Sequence, residues 1–129
     1  IGIATALAGH HIIDGKPVAS ADLIRALAER DPTFEYLYPK KMSATECVWV
    51  GKRKGYPEPV EFPYTIADAK AADLVKPTRW GKPSGWMLRP QDFLNKTAAS
   101  KLARILWPGA TLGLYCAEEM GVEEMREAA

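Results

Sequence analysis

Residues 86–115, WMLRPQDFLNKTAASKLARILWPGATLGLY, restrict the fold more than any other part of the chain. They read as a helix with both ends marked. Pro90 suits a first helical turn, where its missing N–H would be unpaired anyway. Asp92 sets a negative charge at the positive end of the helix dipole. Pro108-Gly109 stops the helix. At 100° per residue, Leu94, Ala98, Leu102 and Ile105 fall on one stripe. Lys96, Ser100 and Arg104 fall on another, with Thr97 and Lys101 beside it. The spacing predicts a helix that packs its apolar stripe on a sheet and turns its cations and hydroxyls outward. Such a row suits a phosphate backbone, because cations displace counterions and hydroxyls position the strand. The plainer reading of the same row is a solvated face.

The charge totals do not separate these readings, with 17 Lys+Arg against 16 Asp+Glu. The distribution says more. Between residues 76 and 104, Lys76, Arg79, Lys82, Arg89, Lys96, Lys101 and Arg104 face one acid, Asp92, whereas residues 115–129 hold five Glu and one Arg. Sorted charge steers an anionic ligand, although two solvated runs can also simply balance each other. At 129 residues the chain supports one domain with a real core, and we expect it to be a fragment of a longer chain, since it starts at Ile1 inside an element. Cys47 and Cys116 lack a C-x-x-C partner, which predicts buried or idle thiols rather than a disulfide scaffold or a zinc site. No apolar run approaches the ~18 residues of a membrane span.

Upstream, HHIIDGKPVA reads as a hairpin around Asp14-Gly15. Ser20 caps a helix to about Arg30, with Leu23, Ile24, Leu27 and Ala28 on its apolar face, and Asp31-Pro32 ends it. FEYLY reads as a strand. ECVWVGKRKGYPEPVEFPYT reads as a second hairpin, with Cys47–Val50 as its first arm and Lys52, Arg53, Lys54 and Gly55 at its tip. Its return arm carries Pro57, Pro59 and Pro63, so it is predicted to be an edge or irregular. Thr65 and Asp68 form a near capping box for a helix from Ile66 to Leu74. The loop VKPTRWGKPSGW leads into the long helix, and CAEEMGVEEMREAA ends the chain as a helical segment or two.

Trp86, Pro90, Phe93, Leu94, Ala98, Ala103 and Arg104, followed by Gly113, Tyr115 and Glu118-Glu119, resemble the RecT/Redβ family of phage single-strand annealing proteins. That family typically reads W-x-x-x-P-x-x-M-L-x-x-x-A-x-x-x-x-A-R and then G-x-Y before an acidic helix; Phe93 replaces the usual Met. IIDGKP, SADLIRAL, VWVGKRKG and YTIADAKAADL match the family in the same order. The chain departs from it at Asn95 and Thr97, where a basic residue is frequent, and at Asp73, where glycine is common. The family's separate C-terminal region for partner proteins is expected to be missing from this fragment. The resemblance implies an α+β fold with a curved antiparallel sheet and β-hairpins backed by helices, like the eukaryotic annealing-recombinase core. It also implies sequence-independent binding of single-stranded DNA in a basic groove and ATP-independent annealing through a duplex intermediate. Homo-oligomeric rings or filaments follow, with a phage exonuclease and a host single-strand-binding protein as partners, in the cytoplasm of a bacterial or phage-infected cell. No cofactor is implied, and no G-x-x-x-x-G-K-[ST] loop is present.

Annealing needs the strand held by its backbone with base edges free. The candidates for this are Lys96, Lys101 and Arg104 on the helix, Arg89 before it, and Lys52, Arg53 and Lys54 closing over the strand from the hairpin tip. Arg104 reads equally as a structural arginine paired with a carboxylate. Trp80 and Trp86 are candidates for base stacking, or else core residues. Lys16 reads as a solvated turn residue. His10-His11 lack a third ligand, so no metal site is expected. Ser20, Ser43 and Ser100 have no nearby His and are not nucleophiles. The protein is therefore read as a non-enzyme. Two rival readings remain: an interaction module whose basic helix meets an acidic partner, and a magnesium-dependent nuclease built on Glu118, Glu119, Glu123 and Glu124. The bland reading of those four acids is a solvated helix face or a contact with a basic surface.

Overall fold

The computed structural model describes residues 11–13 and 16–121, with side chains from Pro17 onward. The Asp14-Gly15 turn, the side chains of His10, His11 and Lys16, and Glu123 and Glu124 lie outside the described residues.

Strands β1 (His11–Ile13) and β2 (Lys16–Ala19) pair antiparallel, as expected of the arms around Asp14-Gly15. Helix α1 (Ala21–Glu29) begins where Ser20 Oγ accepts from the Leu23 N–H at 3.1 Å, and it buries Ala21, Ile24, Leu27 and Ala28. After it, β3 (Phe34–Met42), β4 (Glu46–Arg53) and β5 (Val60–Thr65) form an antiparallel row with β4 in the middle. The FEYLY strand thus runs on through Pro39, and the proline-bearing return arm is an edge. Pro39 and Pro63 sit on the two outer strands, where no second neighbour needs their missing N–H.

Thr65 and Asp68 complete a full capping box for α2 (Ile66–Ala71). This helix stops short of Leu74 because Asp73 takes a φ of 60°, in the left-handed region. Asp tolerates that region better than most residues, at the position where the family resembled commonly has glycine. Next come α3 (Gly85–Leu88), α4 (Pro90–Leu106), α5 (Pro108–Thr111), β6 (Tyr115–Cys116) and a 3₁₀ turn at Glu118–Met120.

The α+β class stands, but the single curved antiparallel sheet does not. The strands divide into two open three-stranded sheets, β1-β2-β6 and β3-β4-β5, and the sheet does not curl or close. One pairing is parallel: Val18 opposes Tyr115 and Ala19 opposes Cys116. The physical reason is that β6 takes the free side of β2, so β2 cannot extend the β3-β4-β5 row. Three strands ending in proline-bearing edges are also too few to accumulate the twist that closes a sheet.

Helix α4 lies across the β3-β4-β5 sheet, with α1 packed beside it. Cys47, Trp49 and Gly51 of β4 face it. Cys47 Sγ approaches the Gln91 carbonyl at 3.8 Å, and Trp49 Nε1 donates to Asn95 Oδ1 at 2.7 Å. Gly51 has no room for a side chain: a Cβ there would lie 2.6 Å from Leu106 Cδ1. Gly85 is tighter still, since a Cβ would lie 2.1 Å from Phe93 Cζ in the contact that holds α3 on α4. Gly85→Ala is therefore expected to destabilise the fold by about 1–3 kcal/mol through overpacking. A urea unfolding midpoint equal to that of the unmodified protein would show that Phe93 swings aside freely.

Candidate nucleic-acid interface

The outward row predicted on α4 does not form. Ser100 and Thr97 are fully buried, and Ile105, assigned to the apolar stripe, is 53 % exposed. The reason is the returning C-terminal segment. Once β6 pairs with β2, the chain lies along the stripe that periodicity turned to solvent, and the acidic run meets the basic run within one molecule. Arg104 grips Glu119 with two bonds, Nη1 to Oε2 at 2.7 Å and Nη2 to Oε1 at 2.6 Å. Nη1 also donates to Ser100 Oγ and to the Leu114 carbonyl, while Ser100 Oγ donates to Glu119 Oε2. The Cys116 N–H donates to the same carboxylate oxygen at 2.8 Å. The Glu119 side chain is only 2 % exposed. Arg104 thus takes the form of a structural arginine paired with a carboxylate. Lys101 Nζ stands 3.9 Å from Glu119, and Lys96 Nζ stands 3.8 Å from Glu118.

Burial pushes the Glu119 carboxyl up. The hydrogen bonds and charge of Arg104, then the bonds from Ser100 and the Cys116 N–H, outweigh it and hold the group below the ordinary glutamate range. Cys116 goes the other way: burial, then the charges of Glu119 and Glu118, raise its thiol well above the ordinary value. Burial also raises Cys47, and both thiols are fully buried. A thiol that is both protonated and enclosed reacts slowly. Neither cysteine is expected to react with a disulfide reagent in the folded protein, and both should react in denaturant. Stoichiometric labelling without denaturant would contradict the burial.

The hairpin tip is also redistributed. Lys52 and Arg53 are not at the tip, because β4 continues alongside β3 after its pairing with β5 ends: Lys52 opposes Tyr36 and Arg53 opposes Phe34. Lys52 Nζ pairs with Glu35 at 2.9 Å, and the Arg53 guanidinium donates to the Leu106 carbonyl at the end of α4. Such a cation satisfies a last-turn carbonyl and suits the negative end of the helix dipole. Lys54 alone of the three is exposed. Asn95 and Thr97, where the family resembled often has a basic residue, are used internally, by Trp49 and by the core.

The two tryptophans separate completely. Trp86 is 2 % exposed and packs edge-on against Phe93 at 5.5 Å, so it offers no face to a base and leaves the list of stacking candidates. Trp80 is 70 % exposed. It sits in a tight turn in which Thr78 N donates to the Lys82 carbonyl at 2.8 Å and Gly81 N to the Thr78 carbonyl at 2.9 Å. The Arg79 guanidinium lies 4.5 Å from its ring centroid. Lys82 and Arg89 are exposed as well, and among the described residues Arg79, Lys82 and Arg89 have no carboxylate within salt-bridge distance. Arg79 and Lys82 belong to the basic run read from the sequence but are not among its candidate contact residues. The signal was the turn spelling T-R-W-G-K, whose glycine takes a φ of 79° and aims the tryptophan outward.

Among the described residues no group of three His, Cys, Asp or Glu comes together as a metal site, and no helix is long and apolar enough to cross a membrane. The chain matches no protein-family model and no curated protein.

Proposed function

We propose that this protein binds single-stranded DNA without regard to sequence and pairs complementary strands without ATP. The setting proposed is phage-type homologous recombination, in the cytoplasm of a bacterial or phage-infected cell. It would act as a homo-oligomer, with a phage exonuclease and a host single-strand-binding protein as further partners. The observation that carries the reading is the exposed Trp80 with Arg79 on its ring and Lys82 in the same turn, with Arg89 exposed nine residues on; among the described residues neither Lys82 nor Arg89 has a carboxylate partner. Cations hold phosphates, and an aromatic face accepts any base while leaving its pairing edge free. The ordered likeness to the RecT/Redβ family supports the same reading independently.

Labelled complementary oligonucleotides of unrelated sequences test it. The protein is expected to retain single strands at low salt and to speed their pairing without ATP, leaving their length unchanged in magnesium. Replacing Arg79, Lys82 and Arg89 together by Ala should flatten the log–log salt dependence by about 2, at roughly 0.7 per phosphate contact. Failure to retain any oligonucleotide at low salt, or cleavage in magnesium, overturns the reading.

A further inference from the structure

A second feature lies where α4 meets the edge strand β5. Phe62 of β5 and Lys101, Arg104 and Ile105 of α4 line an open cleft of about 270 Å³. Its charges do not balance. Glu119 is committed to Arg104 through bonds of 2.6 and 2.7 Å, whereas Lys101 Nζ is 3.9 Å from the same carboxylate and 5.8 Å from the centre of the Tyr64 ring. Among the described residues, one carboxylate between two cations leaves a surplus positive charge at the cleft. The rest of the lining is apolar. Phe62 stacks nearly parallel to Tyr64, with 11° between planes, and Ile105 is more than half exposed on a helix whose other large aliphatic side chains are buried. The cleft is smaller than the ~300–1,000 Å³ of ordinary small-molecule pockets. Its lining sets a cation beside an apolar face, which suits a small unit that joins one anionic group to one flat ring.

We infer that this cleft takes one nucleotide of a bound single strand, its base against Phe62 and Ile105 and its phosphate on Lys101. The inference rests on the single-strand reading above and adds a subsite separate from the Trp80 turn. Arg104 serves here as a positioning residue, since its guanidinium is spent on Glu119.

The test uses the whole chain and a thymine oligonucleotide carrying one 2-aminopurine, whose fluorescence falls when its ring stacks. Ile105→Glu places a negative charge at the mouth of the cleft on an exposed helical position. It is expected to weaken binding about tenfold, in the range of a lost base stack, with the melting temperature unmoved. Lys101→Met removes the charge but keeps an unbranched side chain, and it should reduce the salt slope by about 0.7. Phe62→Leu should restore the fluorescence at saturating protein. If Ile105→Glu binds as tightly as the unmodified protein, or the quench survives Phe62→Leu and vanishes only in Trp80→Ala, the cleft is not a nucleotide site, while the single-strand reading stands. A poly-glutamate peptide that displaces the oligonucleotide from the unmodified protein but not from Ile105→Glu also overturns it, in favour of an acidic protein partner. If the unmodified protein retains no oligonucleotide at all, the single-strand reading fails and this inference falls with it.

Discussion

Arg104→Ala is expected to cost about 3–5 kcal/mol of folding stability, a fall in melting temperature on the order of 10–20 °C. The loss does not come from the ion pair's own worth, because desolvating two charges offsets much of their attraction. It comes from what remains: a Glu119 side chain 2 % exposed, with its principal cation gone. Glu119→Gln should be milder, since an amide carries no charge to strand. The pH dependence follows from the direction of the Glu119 shift. Its folded pKa lies below the ordinary value of 4.5, so its contribution is fully present above that value and is lost as pH falls through the lower folded one. In Glu119→Gln the acid limb of the stability curve should therefore be shallower below about pH 4.5. A melting temperature unchanged in Arg104→Ala would mean that Arg104 is free for a phosphate and that the knot with Glu119 is not formed in solution.

Trp86→Ala is expected to cost about 3–5 kcal/mol, and Trp80→Ala less than about 0.5 kcal/mol. Trp86 fills the junction of α3 and α4, and its Nε1 donates to the Glu118 carbonyl at 3.0 Å, which ties the junction to the C-terminal segment. Its removal opens a cavity and leaves that carbonyl without its partner. Trp80 contacts Arg79 and solvent. Oligonucleotide affinity should show the reverse order, falling for Trp80→Ala, and for Trp86→Ala only as far as the folded fraction falls. Unfolding midpoints and binding isotherms on the two variants check both halves. Equal midpoints would remove Trp86 from the core.

Local chemistry set much of this fold in advance. Ser20, the Thr65–Asp68 box, Pro90 and Pro108 mark element ends because caps and prolines act on backbone groups within about one turn of themselves. Pro63 in β5, with Pro57 and Pro59 just before it, announced an edge for a similar reason, a ladder bond that cannot be made. Packing decided the rest. Periodicity sorts the residues of α4 into stripes but does not say what covers each stripe. Ser100 and Arg104 look solvent-facing until the parallel pairing of Val18 with Tyr115 brings the acidic segment back across them. That pairing joins opposite ends of the chain, and no short window of sequence contains both partners. The same holds for the tryptophans, six residues apart, Trp80 in a turn and Trp86 in α3: Gly81 lets the turn carry Trp80 out to solvent, whereas Gly85 admits Phe93 beside the enclosed Trp86. Residue type and spacing are local quantities, but burial belongs to the assembled fold, and burial is what makes Arg104 a structural knot and leaves Trp80 available to a ligand.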